Sequence, residues 1–219
     1  MHIHLPKGNL ESLRGFLLEL FTITCGILIA ISLESAVESI HHHHLLREAR
    51  GNIFSEIRDN HRIIDSTTKE IPGELGMLQN VIAICMQEQA HRGSVDLRKV
   101  KSLNLGFTGF ALSSDNWSTA QSIGAVSLMD YEEIRKYTSV YKIQSMAASL
   151  HQQTLDKWLQ LQRIVILLRK KTDLKDFSND DLAEVVRTAS EAYSFTSALQ
   201  QASQSLTKKY DQILNLSQE

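Results

Sequence analysis

Only two prolines and ten glycines occur in 219 residues, so little in this chain breaks a helix. Aromatic residues make up 6%, too few for the packed faces of a β-sandwich or barrel. Two cysteines, Cys25 and Cys85, give no disulfide framework, and both read as small buried hydrophobes. The formal net charge of -2 lacks the basic excess expected of a nucleic-acid binder, so no nucleic-acid partner is expected. What remains is rich in Leu, Ala, Gln, Ser and Glu, the composition of an all-α protein. The length suits one sizeable domain plus an anchor.

One long hydrophobic run stands out, the eighteen residues from Phe16 to Leu33. As an α-helix it reaches about 27 Å, close to the roughly 30 Å of a bilayer's hydrocarbon core. Its single charge, Glu19, sits near the start. Lys7 and Arg14 precede the run, whereas Glu34 and Glu38 follow it and no base occurs until Arg47. That bias predicts a cytoplasmic N-terminus and a domain outside the cytoplasm, the periplasm in a Gram-negative bacterium. A cleaved signal peptide fits less well, because the run is long, carries Glu19 and has no small-x-small cleavage pattern after it. The competing reading is the core or amphipathic helix of a soluble bundle. The expected organisation is a short cytoplasmic tail (1–15), a transmembrane helix with its interface (16–40) and an extracytoplasmic helical bundle (41–219).

Glu19, Thr22, Gly26, Ala30 and Glu34 recur every three or four residues and share one stripe of the span. Gly26-x-x-x-Ala30 is a small-xxx-small pair of the kind that lets helices pack closely in lipid. Beside the lipid bilayer, the expected partner is therefore a second copy or another membrane protein docked on this stripe. The plainer reading places Glu19 at the cytoplasmic interface, reaching toward water or Arg14.

Beyond the span, Leu46, Ala49, Ile53, Ile57 and Ile64 continue a helical stripe to about Thr68. Pro72-Gly73 predicts a break, with a second helix from Glu74 to His91 that Gly93 closes. The basic cluster Arg98 to Lys101 follows, then an irregular apolar stretch with Leu103, Leu105, Phe107 and Phe110 that is expected to pack onto the domain. Ser113 or Ser114 can cap a short helix ending at Gly124. Asp130-Tyr-Glu-Glu133 and Ser178-Asn-Asp-Asp181 read as capping boxes opening helices to about Lys171 and Leu216. In the last helix Val185, Ala189, Ala192, Thr196, Leu199, Ser203, Leu206, Tyr210 and Ile213 alternate steps of four and three, a coiled-coil-like seam. A short link at 172–177 makes these two helices an antiparallel hairpin. The fold expected is an N-terminal transmembrane helix continuing into an elongated antiparallel helical bundle.

Chemistry is sparse. His41-His42-His43-His44 point four ways around a helix and cannot all bind one metal, so Glu38 with His41 or His42 is the better ligand pair. Glu38-x-x-His41 and Glu88-x-x-His91 also match the Glu-x-x-His spacing of di-iron bundles, a short pattern that arises by chance. The histidines read more simply as an interfacial belt near lipid head groups. No nucleophile elbow or Gly-rich phosphate loop occurs, so no catalytic residue and no cofactor is expected. The short clusters Arg98 to Lys101 and Arg169-Lys170-Lys171 read as solvated faces. Trp117, Gln121, Tyr131, Tyr137, Tyr141 and Trp158 concentrate in the middle helices, where they either pack the core or line a ligand pocket.

Two stretches carry a resemblance. Glu19 to Ile31, with its Gly26-Ile-Leu-Ile-Ala core, is similar to the anchor of an uncharacterised family of bacterial single-span membrane proteins. Asn116-Trp-Ser-Thr-Ala-Gln-Ser-Ile-Gly-Ala125, then Met129-Asp-Tyr-Glu-Glu and Tyr137 to Tyr141, resembles that family's Trp-x-x-Ala helix and Tyr-rich helix. The four-His run departs from the pattern. The resemblance implies topology and leaves function open. It leaves three functions to weigh: an accessory or scaffold subunit, a sensory or ligand-binding domain, and a metal-binding helical enzyme.

Overall fold

The computed structural model describes residues 10–93, 105–169 and 178–216, with residues 10–13 and 216 described by backbone alone. Lys7, Leu103, the Arg98 to Lys101 cluster, Lys170, Lys171 and the link at 172–177 lie outside the described residues. Four α-helices account for most of what is described: α1 (Leu10–Ala90), α2 (Asp115–Ser122), α3 (Tyr131–Arg169) and α4 (Asn179–Leu216). A 3₁₀ turn, Ala125–Leu128, joins α2 to α3. The protein is all-α, and α1 is long and apolar enough to cross a membrane.

The expected break at Pro72-Gly73 does not occur. α1 is one helix of 81 residues with Pro72 inside it. The reason lies on its buried face, where Ile53, Ile57, Asn60, Ile64, Thr67, Ile71, Glu74, Leu78, Val81, Cys85 and Glu88 are all buried. Their spacing alternates four and three straight through the proline, a period of 3.5. Pro72 itself is exposed, one position past the seam residue Ile71. A proline inside a helix costs about 3 kcal/mol through the lost hydrogen bond and ring clash. Burying Leu78 and Val81 beyond it, at roughly 1.5–3 kcal/mol for each large aliphatic side chain, offsets that cost.

The seam expected in α4 is present in full, with Val185, Ala189, Ala192, Thr196, Leu199, Ser203, Leu206, Tyr210 and Ile213 all buried. Its small residues let α4 lie close against both α1 and α3. It runs antiparallel to each: His61 Nε2 pairs with Asp211 at 2.9 Å, Gln79 with Tyr193 and Gln89 with Asn179 on one side. On the other, Lys157 pairs with Glu191 and Gln144 with Tyr210. α1 and α3 run parallel and meet through side chains, as where Arg50 donates to both oxygens of Glu133 at 2.7 and 2.6 Å. Residues 105–114 wedge between them, touching α1 through Glu56, Asn60 and Glu74 and α3 through Gln144, His151 and Gln162.

Two apolar clusters result. The proximal one, nearer the Phe16–Leu33 run, gathers Ala49, Ile53, Ile57, Trp117, Tyr141, Leu206 and Tyr210. The distal one gathers Leu78, Val81, Cys85, Trp158, Leu161, Leu182 and Val185.

Caps follow the sequence in part. Ser178 and Asp181 form a full reciprocal box, at 3.0 Å from the Asp181 N–H to Ser178 Oγ and 2.8 Å from the Ser178 N–H to Asp181 Oδ2. Asp130 accepts the Glu133 N–H at 2.8 Å, but the Glu133 carboxylate turns to Arg50 and does not close the second box. At α2, Ser114 makes no side-chain cap; Ser113 Oγ accepts the Asp115 N–H at 3.1 Å, and Gly124 takes a φ of 77°, which favours glycine.

Candidate functional site: the exposed span and the clamped wedge

Residues 14–44 of α1 lie beyond the bundle, and nearly every side chain is exposed. Phe16, Leu18, Phe21 and Ile29 are 61%, 68%, 68% and 62% exposed, so among the described residues this run finds nothing against which to bury its apolar surface. Its hydroxyls are satisfied internally. Thr22, Thr24 and Ser32 donate to the carbonyls of Leu18, Leu20 and Leu28 at 2.7–2.8 Å, so none needs water. Glu19, Thr22, Gly26, Ala30 and Glu34 occupy one stripe of this free helix, and a Cβ at Gly26 would meet no atom within 4 Å. Cys25 is only half-buried, unlike its expected buried state, whereas Cys85 is fully buried. Burial pushes the Cys85 thiol up to about 11, so it is inert at neutral pH.

The metal-ligand candidates do not converge. His42 Nε2 lies 3.8 Å from Glu38 Oε1 and His44 the same distance from Glu48, each pair one turn apart on the same helix. The ring centroid of His41 lies 6.4 Å from that of His42. Among the described residues no three His, Cys, Asp or Glu side chains gather around one point. The second Glu-x-x-His pair has a structural use instead: Glu88 accepts the Gly93 N–H at 2.7 Å just past the end of α1.

The aromatic group divides. Trp117 stacks on Tyr141 at 5.5 Å between centroids and 8° between planes, with Tyr137 at 5.9 Å. Trp158 belongs to the distal cluster, and Tyr131 is exposed. These rings pack the two clusters and do not enclose a common pocket.

What the sequence did not reveal is a buried polar clamp at Ser113. Glu56 accepts from Tyr141 Oη at 2.6 Å, Ser113 Oγ at 2.7 Å and the Asn116 N–H at 2.9 Å. Asn60 accepts the Ser113 N–H at 2.9 Å and donates to its carbonyl at 2.7 Å. Gln144 donates to the same carbonyl at 2.8 Å and accepts from Tyr210 Oη at 2.6 Å. All three long helices thus converge on one wedge residue. Burial, then the hydrogen bond to Glu56, raises the Tyr141 phenol far above its ordinary range, so it remains an O–H donor.

Two titratable groups hold the rest of the wedge. Glu74 Oε1 accepts the Thr108 N–H at 2.6 Å, while its buried Oε2 has no partner. His151, between the rings of Phe107 and Phe110, accepts the Phe110 N–H at 3.3 Å through Nε2. Burial lowers the pKa of His151 from 6.5, so its neutral form stabilises the fold above that pH. That contribution is lost as pH falls below 6.5 through the depressed folded value. Burial raises Glu74 from 4.5, the opposite sign: its contribution is present below 4.5 and lost as pH rises through the elevated folded value. In a Glu74→Gln background, where the opposing carboxyl is gone, the melting temperature followed by circular dichroism should therefore fall on acidification below pH 6.5, with a shallower slope when His151→Gln is added. Glu74→Gln should raise the melting temperature at pH 7 and lose that advantage near pH 4. A Glu74→Gln/His151→Gln profile superimposable on that of Glu74→Gln would refute the assignment.

Comparison with known proteins returns no matching family model, no matching curated protein and no matching solved structure.

Proposed function

We propose that this chain is a non-enzymatic accessory or scaffold subunit of a membrane complex. The run Phe16–Leu33 crosses a bacterial inner membrane, its N-terminus is cytoplasmic, and the bundle stands in the periplasm. The single observation that carries this reading is the unpartnered apolar length of α1, about 27 Å, continuous with the helix that organises the bundle. Docking uses two surfaces, the Glu19/Thr22/Gly26/Ala30/Glu34 stripe within lipid and the outside of the bundle. Gly26 and Ala30 give a partner helix close approach, and Glu19 supplies a charge that a partner can neutralise. The likeness of Glu19–Ile31 and Asn116–Ala125 to bacterial single-span proteins agrees with this topology.

The test is affinity purification from native membranes after alkaline carbonate washing. The chain should stay in the membrane fraction and bring a partner or second copy with it. Gly26→Leu should reduce that recovery at least several-fold while leaving the bundle's thermal melt unchanged. Release by carbonate would remove the anchor from the reading. A lone monomer indifferent to Gly26→Leu would remove the docking stripe. A second reading, a ligand-binding extracytoplasmic domain, is favoured by the groove between α3 and α4 described below.

A further inference from the structure

At the proximal end of the bundle, the first turns of α3 and the last turns of α4 enclose a groove of about 650 Å³. Arg135, Lys136 and Lys209 stand around it, Ser139, Gln212 and Asn215 add neutral polar groups, and Val140 and Ile213 form an apolar floor. The size is that of a small-molecule site, and few polar groups converging over an apolar floor is the usual composition of one.

What sets the groove apart is that bases from two helices line one cavity; Lys142 and Lys208, like Lys136 and Lys209, have no ion pair among the described residues, but they do not line it. Arg50, Arg62, Lys69, Lys157 and Arg187 each pair with a carboxylate at 2.6–2.9 Å. At the groove only Arg135 is engaged, with Glu132 at 2.8 Å. Among the described residues Lys136 and Lys209 have no ion-pair or hydrogen-bond partner. Two ammonium groups from different helices thus line one cavity without an ion pair among the described residues, which suits a ligand carrying two negative charges. Lysine binds phosphate as a point charge without needing the planar fork that arginine offers a carboxylate.

Height above the membrane selects the source of that anion. Arg50 pairs with Glu133, so the groove begins seventeen or more residues beyond Leu33 along α1. That is about 25 Å from the end of the apolar run, and about 19 Å even for a helix tilted by about 40°. The head-group layer extends only about 5–7 Å past the hydrocarbon core. Lipid head groups of the bilayer that holds α1 stay out of reach.

We propose that the α3–α4 groove is a binding site for a soluble organic phosphate monoester, its dianion held by Lys136 and Lys209 and its organic part lying on Val140 and Ile213. The groove itself stands on the bundle alone, whereas the choice of a soluble over a lipid phosphate rests on the proposed crossing of the bilayer by Phe16–Leu33.

The full-length protein in phosphatidylcholine nanodiscs, titrated calorimetrically with phenyl phosphate in 0.15 M NaCl, tests it. Saturable one-to-one binding is expected, with weaker binding of inorganic phosphate and none of phenol. Lys136→Gln/Lys209→Gln should weaken phenyl phosphate binding at least ten-fold with an unchanged melting temperature. Lys142→Gln, on the same helix and outside the groove lining, should leave the affinity unchanged. No binding, or equal loss from Lys142→Gln, would overturn the site. If nanodiscs containing phosphatidylglycerol abolish phenyl phosphate binding, a lipid head group is the occupant and the soluble source is wrong.

Discussion

Trp158→Ala should lower the melting temperature by on the order of 10 °C. Trp158 is fully buried in the distal cluster, and its Nε1–H donates to Thr196 Oγ1 at 2.9 Å. Truncating a buried tryptophan costs about 3–5 kcal/mol, because contacts are lost and the surroundings collapse only partly into the space. For a domain of this size each kcal/mol moves the midpoint by about 2–4 °C. Thr196 cannot compensate, since its own hydroxyl already donates to the Ala192 carbonyl at 2.7 Å. Trp158→Phe keeps most of the volume and loses mainly one hydrogen bond, about 1–2 kcal/mol. Thermal melts in detergent distinguish the two. A shift under 2 °C for Trp158→Ala would mean that the distal cluster does not hold the bundle together.

The second large effect is expected at Glu56. Glu56→Ala removes the acceptor of three donors: the buried Tyr141 phenol and the half-buried Ser113 hydroxyl and Asn116 N–H. Each donor left unpaired costs about 1–3 kcal/mol, so a total on the order of 3–5 kcal/mol is expected, comparable to breaking a buried charge pair. Glu56→Gln retains one acceptor oxygen and should lose less than half as much. The effect should also be local. Asn116 lies in the first turn of the helix that carries Trp117, so α2 loses one of its two hydrogen bonds to α1, and Trp117 fluorescence in a Trp158→Phe background should shift to the red. An unshifted spectrum with a large loss of stability would place the damage elsewhere in the proximal cluster.

The contrast between α4 and α1 shows why some of this was legible in advance. The α4 seam was readable because Val185, Leu199, Leu206 and Ile213 mark it with aliphatic residues and the small residues between them keep the period. The α1 seam carries the same period but places Asn60, Thr67, Glu74 and Glu88 on the buried face, and a proline beside it. Read locally, those residues belong outside, and Pro72-Gly73 belongs to a turn. Partners far along the chain serve two of them, Ser113 for Asn60 and Thr108 for one oxygen of Glu74, while Gly93, just past the helix end, serves Glu88. The capping boxes divide in the same way. Ser178 and Asp181 complete each other within four residues, whereas Glu133 is drawn off by Arg50 from another helix.

The sequence by itself determined the all-α class, the apolar run Phe16–Leu33 with its Glu19-to-Glu34 stripe, and the last helix's seam. Each is a periodic property of neighbouring residues, and helix geometry alone turns it into a face. Only the tertiary structure decided that α1 continues past Pro72, that residues 105–114 wedge between α1 and α3, and that Lys136 and Lys209 face one groove. These depend on hydrogen bonds and charges brought together from positions 34 to 85 residues apart. No local pattern encodes which donor will find which acceptor over such a span; packing α1 and α3 against the small-residue seam of α4 does.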